Sequence, residues 1–266
     1  SVEELKKWFL DRSELESVIA EDLAWRYIQM TCFTENEDYR KHYQDFIENI
    51  QPQIAPVSDK LNKKAADSPL LDALSKIQGY DIMIRSLRKE IEIFREENVP
   101  LYTEINIETQ KYAQLNGAMM VEMEGKELTL QQAAVFLMST DRTKREEAYQ
   151  KITERRLKDK DVLDELFSKL INLRHRVAIN AGFENFRDYM FKSLGRFDYT
   201  PKDCFDFHDA IAHEVVPILN EFSKERKSAL KVNQLRPWDK AVDPEGREAL
   251  KPFTTGTELA EKTIEV

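Results

Sequence analysis

The positions of apolar residues along the chain predict a protein built mainly of α-helices. After Ser13, apolar side chains recur every three or four residues, as they do on one face of a helix. The same spacing from Pro69 to about Arg95 predicts a single long helix, and a further helix is expected from Pro100 to about Leu115. The first stripe contains Leu15, Val18, Ile19 and Leu23.

Helix starts are signalled by serine or threonine residues that stand three positions before a Glu or Gln, because this spacing permits a capping box. We expect a helix to begin at each such pair. The pairs are Ser1 with Glu4, Ser13 with Glu16, Thr129 with Gln132, Thr143 with Glu146 and Thr255 with Glu258.

One segment departs from the helical period. In MVEMEGKELTL, residues 120–130, apolar and charged residues alternate around Glu124 and Gly125. This pattern predicts a short β-hairpin, in which Gly125 can adopt the positive φ of a tight turn.

The second half of the chain continues as helices separated by turn signals. Apolar residues three and four apart predict helices over residues 143–181, divided near Lys158. Thr200, followed by proline, opens another helix that is expected over residues 201–232. Residues 235–253 contain three prolines and one glycine and are predicted to form a loop.

Composition and charge narrow the class of protein. The 266 residues suffice for one large domain or two smaller ones. The net charge of -9 argues against a nucleic-acid partner, since phosphate binding needs a concentrated positive surface. The longest apolar run, residues 133–138, is too short to cross a bilayer, so no membrane partner is expected.

The cysteines favour a reducing compartment. Cys32 and Cys204 lie far apart and form no C-x-x-C pair, and two free thiols fit the cytosol. The first residues are acidic and amphipathic, unlike a secretory signal. We therefore expect a cytoplasmic protein.

A partial metal motif occurs in HEVVP, residues 213–217. The zinc-peptidase motif H-E-x-x-H places two histidines on one helical face, with the Glu as general base. His213 and Glu214 match it, but Pro217 stands where the second histidine belongs. We interpret the match as chance and Pro217 as the cause of a helix kink. Three other histidines also lack a histidine four residues later: His42, His175 and His208.

Other candidate chemistry is equally weak. Cys204 and His208, four residues apart, could form a nucleophile–base pair, but no orienting group is apparent and core packing is the preferred interpretation. The basic clusters RTKR and ERRLKDK alternate with acids, as solvated helical faces do. The residues therefore assign no catalytic group and no metal ligand, and they identify no substrate-binding residue.

Several segments of the second half have the order and spacing of a known family from about Pro100 onward. They are GKELTL, DRTKREEA, RVAINAGFENFRD, RFDYT, the proline-containing HDAIAHEVVP, and RPWD. In this order they resemble peptidase family M3, the zinc oligopeptidases of the thimet oligopeptidase and oligoendopeptidase F group. Before Pro100 the likeness is one of helical character only.

The resemblance implies the helical amino-terminal portion of a channel-forming zinc metalloendopeptidase that hydrolyses internal bonds of short peptides. It assigns residues 1–140 to a helical region with a hairpin, and residues 141–266 to the truncated beginning of the catalytic region. In that family H-E-x-x-H follows later in the chain and binds the zinc. We therefore expect these 266 residues to bind no zinc, to be inactive alone, and to self-associate through an exposed apolar surface.

A non-catalytic helical scaffold or interaction module is the alternative. The full reading frame separates the two hypotheses. An H-E-x-x-H motif downstream indicates the peptidase, whereas a stop codon directly after Val266 indicates the scaffold.

Overall fold

The structure, a computed structural model, describes residues 1–247 and 250–264. Glu248 and Ala249 of the predicted loop lie outside the described residues, as do the last two residues of the chain. None of the described helices is both long and apolar enough to span a membrane.

Helices form most of the chain, and the mainly α fold class with one small hairpin is confirmed. Residues 1–116 and 160–208 form one unit, and residues 117–159 together with the described residues from 209 onward form a second. The division into family domains at residue 140 stays a prediction. In chain order the helices are α1 (Val2–Cys32), α2 (Glu37–Asp45), α3 (Gln51–Ala66), α4 (Leu71–Leu74), α5 (Tyr80–Ile93), α6 (Val99–Gly117), α7 (Leu130–Ala134), α8 (Arg142–Lys158), α9 (Lys160–Asn180), α10 (Phe186–Ser193), α11 (Pro201–Ala210), α12 (Val216–Ala229) and α13 (Gly256–Ile264).

Two of the predicted capping boxes form in full, at Ser1 before α1 and at Thr129 before α7. Ser13 instead lies within α1, where the residues on both sides continue the helix. Thr143 lies within α8, whose N-cap is Asp141. A capping-box spacing therefore marks a helix start only where the preceding residues leave the helical conformation.

The long helix predicted from Pro69 to Arg95 is wrong. Gly79 has φ of +88° and separates α4 from α5. A residue in the left-handed region cannot continue a right-handed helix, so the apolar period extends across a real break.

The predicted hairpin is confirmed as strands β1 (Met120–Met123) and β2 (Lys126–Thr129), the single sheet in the described part of the chain. Met120 pairs with Thr129 and Met123 with Lys126. The turn residues Glu124 and Gly125 both have positive φ, 51° and 75°, as a two-residue type I′ turn requires.

The first unit has a core where α6, α9 and α10 meet. Its buried residues are Leu101, Leu173, Val177, Ala178, Ala181 and Tyr189. The buried Asn98 donates from its side chain to the backbone oxygen of Val177 at 3.0 Å and accepts from Asn180 at 2.8 Å. These bonds hold the start of α6 against the end of α9.

Two π-helical turns interrupt the helical geometry, and each comes just before a proline. Phe46–Ile50 precedes Pro52, and Ile211–Val215 precedes Pro217. Because proline has no N–H for the bond to the residue four positions earlier, the preceding turn widens to a five-residue bond. The irregularity predicted at Pro217 is thus a π-helical turn between α11 and α12.

Candidate functional site

All four histidines are exposed on helices. The Nδ1 of His213 lies 2.7 Å from the backbone oxygen of Asp209, one turn earlier. The ring of His208 lies against Phe205 and Phe207, with centroids 6.4 and 6.5 Å away. Within residues 1–247 and 250–264, no group of three or more His, Cys, Asp or Glu residues is placed to hold a metal ion. The described residues therefore do not fit a zinc centre.

The structure does join two of the sequence motifs, DRTKREEA and RPWD, in the second unit. The first begins α8, and the second forms a 3-10 turn at Pro237–Asp239. Asp239 is fully buried, with no exposed surface, and lies at the centre of the contact. We call this contact, formed by Arg142, Arg145, Arg236 and Asp239, the arginine–aspartate cluster.

Arg145 is the buried cation of the cluster, with its side chain 3% exposed. Its Nη2 donates to Oδ1 of Asp239 at 3.0 Å, and its Nε donates to the backbone oxygen of Trp238 at 3.0 Å. Its Nη1 donates to the backbone oxygens of Ser139 and Thr140, at 2.8 and 3.1 Å. The guanidinium therefore joins the turn before α8 to the RPWD turn.

Arg142 and the backbone of Arg236 complete the coordination of Asp239. Arg142 donates through Nε to Oδ1 at 3.0 Å and through Nη2 to Oδ2 at 2.9 Å. The backbone N–H of Arg236 donates to Oδ2 at 2.9 Å. Both carboxylate oxygens thus accept two donors each, in the fork geometry that suits arginine.

These donors hold the pKa of Asp239 well below its usual range, the largest effect being the hydrogen bonds from Arg142, while burial acts in the opposite direction. A carboxylate that stays ionised and has four donors has no free lone pair for a proton or a metal ion. The arginine–aspartate cluster is therefore a structural contact.

Arg226 of α12 makes a second connection, to the RPWD turn and the residues that follow it. Arg226 donates through Nη1 to the backbone oxygen of Val242 at 2.7 Å and to that of Asp239 at 3.3 Å. Val242 is buried, so this bond satisfies a carbonyl at the edge of the core.

The surface of the π-helical turn Ile211–Val215 and of α12, both in the second unit, contrasts with the arginine–aspartate cluster, because these elements contain no buried residue. Apolar side chains recur along them at intervals of three and four, which forms an exposed apolar stripe. Its members are Ile211, Val215, Ile218 and Phe222. An exposed stripe of this kind is typical of a surface that another part of a protein covers.

Comparison with protein families matches both parts of the chain. The sequence model of the Peptidase M3 N-terminal domain matches residues 1–94, and that of Peptidase family M3 matches residues 135–263. The matches leave only residues 95–134 and 264–266 uncovered. The chain belongs to peptidase family M3. The likeness thus extends before Pro100, where the motifs alone had shown only helical character.

Solved structures share the fold. PZ peptidase A in complex with an inhibitor superposes with a TM-score of 0.84 at 22% identity, over 100% of this chain and 50% of its own. A proposed oligoendopeptidase F superposes with a TM-score of 0.83 at 20% identity, over 100% of this chain and 50% of its own.

A proposed oligoendopeptidase F from Bacillus anthracis str. Ames has a TM-score of 0.77 at 21% identity, over 91% of this chain and 48% of its own. The chain therefore spans about half the length of the solved structures it matches. The comparison with curated protein sequences found no match.

Proposed function

We propose that this chain is the amino-terminal part of a cytoplasmic zinc oligopeptidase that hydrolyses internal bonds of short peptides. The observation that carries the proposal is the pair of family matches, the N-terminal domain at residues 1–94 followed by the peptidase family at 135–263. The superposition on about half of each related structure supports the same assignment.

In this proposal the chain supplies the framework, while the metal ligands come from other residues of the longer protein. The described residues hold no group that fits zinc, and HEVVP lacks the second histidine. No catalytic step is therefore assigned to a residue of this chain. When bound, zinc would supply Lewis-acid activation of the peptide carbonyl.

The exposed apolar stripe supports this division of roles. Ile218 and Phe222 are 52% and 58% exposed, so the stripe leaves large apolar surface in water. The remainder of the peptidase would cover it. In the isolated 266-residue chain the same surface would promote self-association.

The test is the longer protein produced from the natural reading frame. We expect an H-E-x-x-H motif after residue 266 and hydrolysis of internally quenched oligopeptides. A chelator should abolish this hydrolysis and added zinc should restore it. An alanine variant of the first motif histidine should be inactive, and the matched variant His213→Ala should keep wild-type activity.

A reading frame without the motif, or hydrolysis that a chelator leaves unchanged, would contradict the proposal and favour the non-catalytic scaffold. Cell fractionation tests the location separately, since the protein should follow a cytosolic marker.

A further inference from the structure

The first helix of the chain, α1, has apolar side chains on two opposite faces, and one of these faces packs within the first unit. Near its start, Val2, Leu5 and Phe9 lie against the buried residues Leu71, Leu74 and Ile84. Near its end, Arg26 donates through Nη1 to the backbone oxygen of His42 in α2 at 2.8 Å. These contacts fix the position of α1 through its inner face.

The opposite face of α1 lies in water. Its apolar members are Leu15, Val18, Trp25 and Ile28, which are 60%, 65%, 55% and 41% exposed. We call these four residues the α1 outer face. Ile19 and Leu23 of the same predicted stripe are half-buried on the inner side. From residue 15 to residue 28 the helix rises by about 20 Å, so the α1 outer face is long enough to contact several turns of another helix.

The spacing of the outer residues suits a helical partner. Leu15, Val18, Asp22 and Trp25 follow one another at intervals of three, four and three residues, which is the a and d pattern of a heptad repeat. Glu14 and Glu21 directly precede the two a positions and therefore occupy g positions. Side chains at g positions form the ion pairs that select a partner helix.

The charge of this segment is entirely negative. Residues 13–25 contain four carboxylates and no Lys or Arg. Two of them are paired with arginines outside the segment, Glu16 with Arg12 at 2.7 Å and Asp22 with Arg26 at 2.9 Å. Glu14 and Glu21 are exposed and form no ion pair with a described residue. The rim of the α1 outer face therefore has two uncompensated negative charges.

This charge distribution disfavours a second copy of the chain as the occupant. A parallel pair of α1 helices would place the two Asp22 carboxylates opposite each other at the a position. An antiparallel pair would bring Glu14 of one copy towards Glu21 of the other. Both arrangements put like charges in contact, which opposes association.

We propose that the α1 outer face binds a basic amphipathic helix of a partner protein. Apolar side chains of that helix would cover Leu15, Val18 and Trp25, and Trp25 is the residue type that most often anchors such a contact. Lys or Arg side chains of the partner would pair with Glu14 and Glu21. This binding goes beyond the proposed peptidase function and does not depend on it.

The test is fluorescence anisotropy with the natural protein that contains these 266 residues. The probe is a labelled three-heptad peptide with leucine at a and d positions and lysine at e and g positions. One control peptide has glutamate in place of each lysine, and another has the lysine peptide's composition in scrambled order. We expect saturable binding of the lysine peptide, and binding at least tenfold weaker for each control.

Substitutions in the protein locate the site. Trp25→Ala should weaken binding of the lysine peptide at least tenfold, whereas Phe167→Ala, at an exposed aromatic residue of α9 in the same unit, should leave it unchanged. The double variant Glu14→Gln, Glu21→Gln provides an independent check on folded protein, because both residues are exposed. It should weaken binding several-fold, and Glu165→Gln, at an exposed residue of α9, should not.

Three results would overturn the proposal. The first is the absence of saturable binding of the lysine peptide, or equal binding by wild type, Trp25→Ala and the double Gln variant. The second is a dimer of the natural protein, seen by sedimentation without peptide, that Trp25→Ala dissociates, since this assigns the α1 outer face to a second copy. The third is binding to the 266-residue chain but not to the longer natural protein, which assigns the face to the remainder of that protein.

Discussion

Asp239 in the second unit and Asp59 in the first are both buried carboxylates, at 0% and 7% exposure, yet their surroundings differ. The two oxygens of Asp239 accept from two arginine side chains and one backbone N–H. Asp59 accepts from one largely exposed lysine and has one oxygen without a donor.

The number of donors around a buried carboxylate determines how strongly that carboxylate is tied to the fold. A carboxylate with every lone pair in use can only stabilise the fold, because a ligand would have to displace an existing donor. Asp59, with one oxygen that accepts no donor within the described residues, is held in place by fewer bonds. A substitution in the arginine–aspartate cluster should therefore lower the free energy of unfolding more than a substitution of Asp59.

The largest effect is expected from Asp239→Asn. This change removes the negative charge and leaves the buried Arg145 without its partner, so it should lower the free energy of unfolding by about 3–5 kcal/mol. Urea unfolding followed by circular dichroism measures the loss. Asp243→Asn is the matched control, since Asp243 pairs with the exposed Arg247 and should cause a much smaller loss. Equal effects of the two variants would remove the distinction between buried and exposed pairs.

The stability that the arginine–aspartate cluster provides should depend on pH. The pKa of Asp239 is lowered in the folded state, chiefly by the hydrogen bonds from Arg142, so the unfolded chain binds more protons in acid. The stability that the ionised Asp239 carboxylate contributes is fully present above the unfolded aspartate pKa of about 3.9. This stability is lost as the pH falls towards the lower pKa of the folded state. The stability difference between wild type and Asp239→Asn should therefore narrow below pH about 4. A constant difference down to pH 2 would refute this cause.

Within the cluster, Arg142 and Arg145 should contribute unequally to the free energy of unfolding. Arg145 is 3% exposed and also satisfies three backbone carbonyls, whereas Arg142 is 42% exposed. Arg145→Ala should therefore destabilise the chain clearly more than Arg142→Ala, because it orphans buried acceptors as well as a charge. Urea unfolding of both variants decides the point, and a larger effect of Arg142→Ala would reverse the assignment.

The smallest effect on stability is expected from Asp59→Asn. The substitution removes an incompletely bonded buried charge and its ion pair with the largely exposed Lys63, so the free energy of unfolding should change by less than about 1 kcal/mol. Asn98→Ala, which orphans buried partners in the same unit, provides the contrast with an expected loss of about 1–3 kcal/mol. A loss for Asp59→Asn as large as that for Asn98→Ala would show that Asp59 is structural.

Local features were predictable from the sequence because local geometry determines them. The hairpin follows from alternation around Gly125, and the cap at Thr129 from a three-residue spacing. The break at Gly79 was missed because the apolar period continues across it, although a glycine inside a helical pattern was a usable signal.

The buried carboxylates were missed for a different reason. Arg145 and Asp239 are 94 residues apart, and no local spacing reports a contact at that separation. The arginines of DRTKREEA and the aspartate of RPWD were visible as opposite charges in two motifs, which was the one available indication. The burial of Asp59 depends on how four helices pack, and the helical period places it only on a face of α3.

The most direct test of the functional account is peptide hydrolysis by the purified 266-residue chain, measured beside the longer natural protein. Both receive the same quenched fluorogenic oligopeptide, with added zinc and with a chelator. We predict chelator-sensitive turnover by the longer protein and none above buffer by the 266-residue chain. Zinc-stimulated turnover that stays with the 266-residue chain through successive chromatography would contradict it and place the active site within these residues.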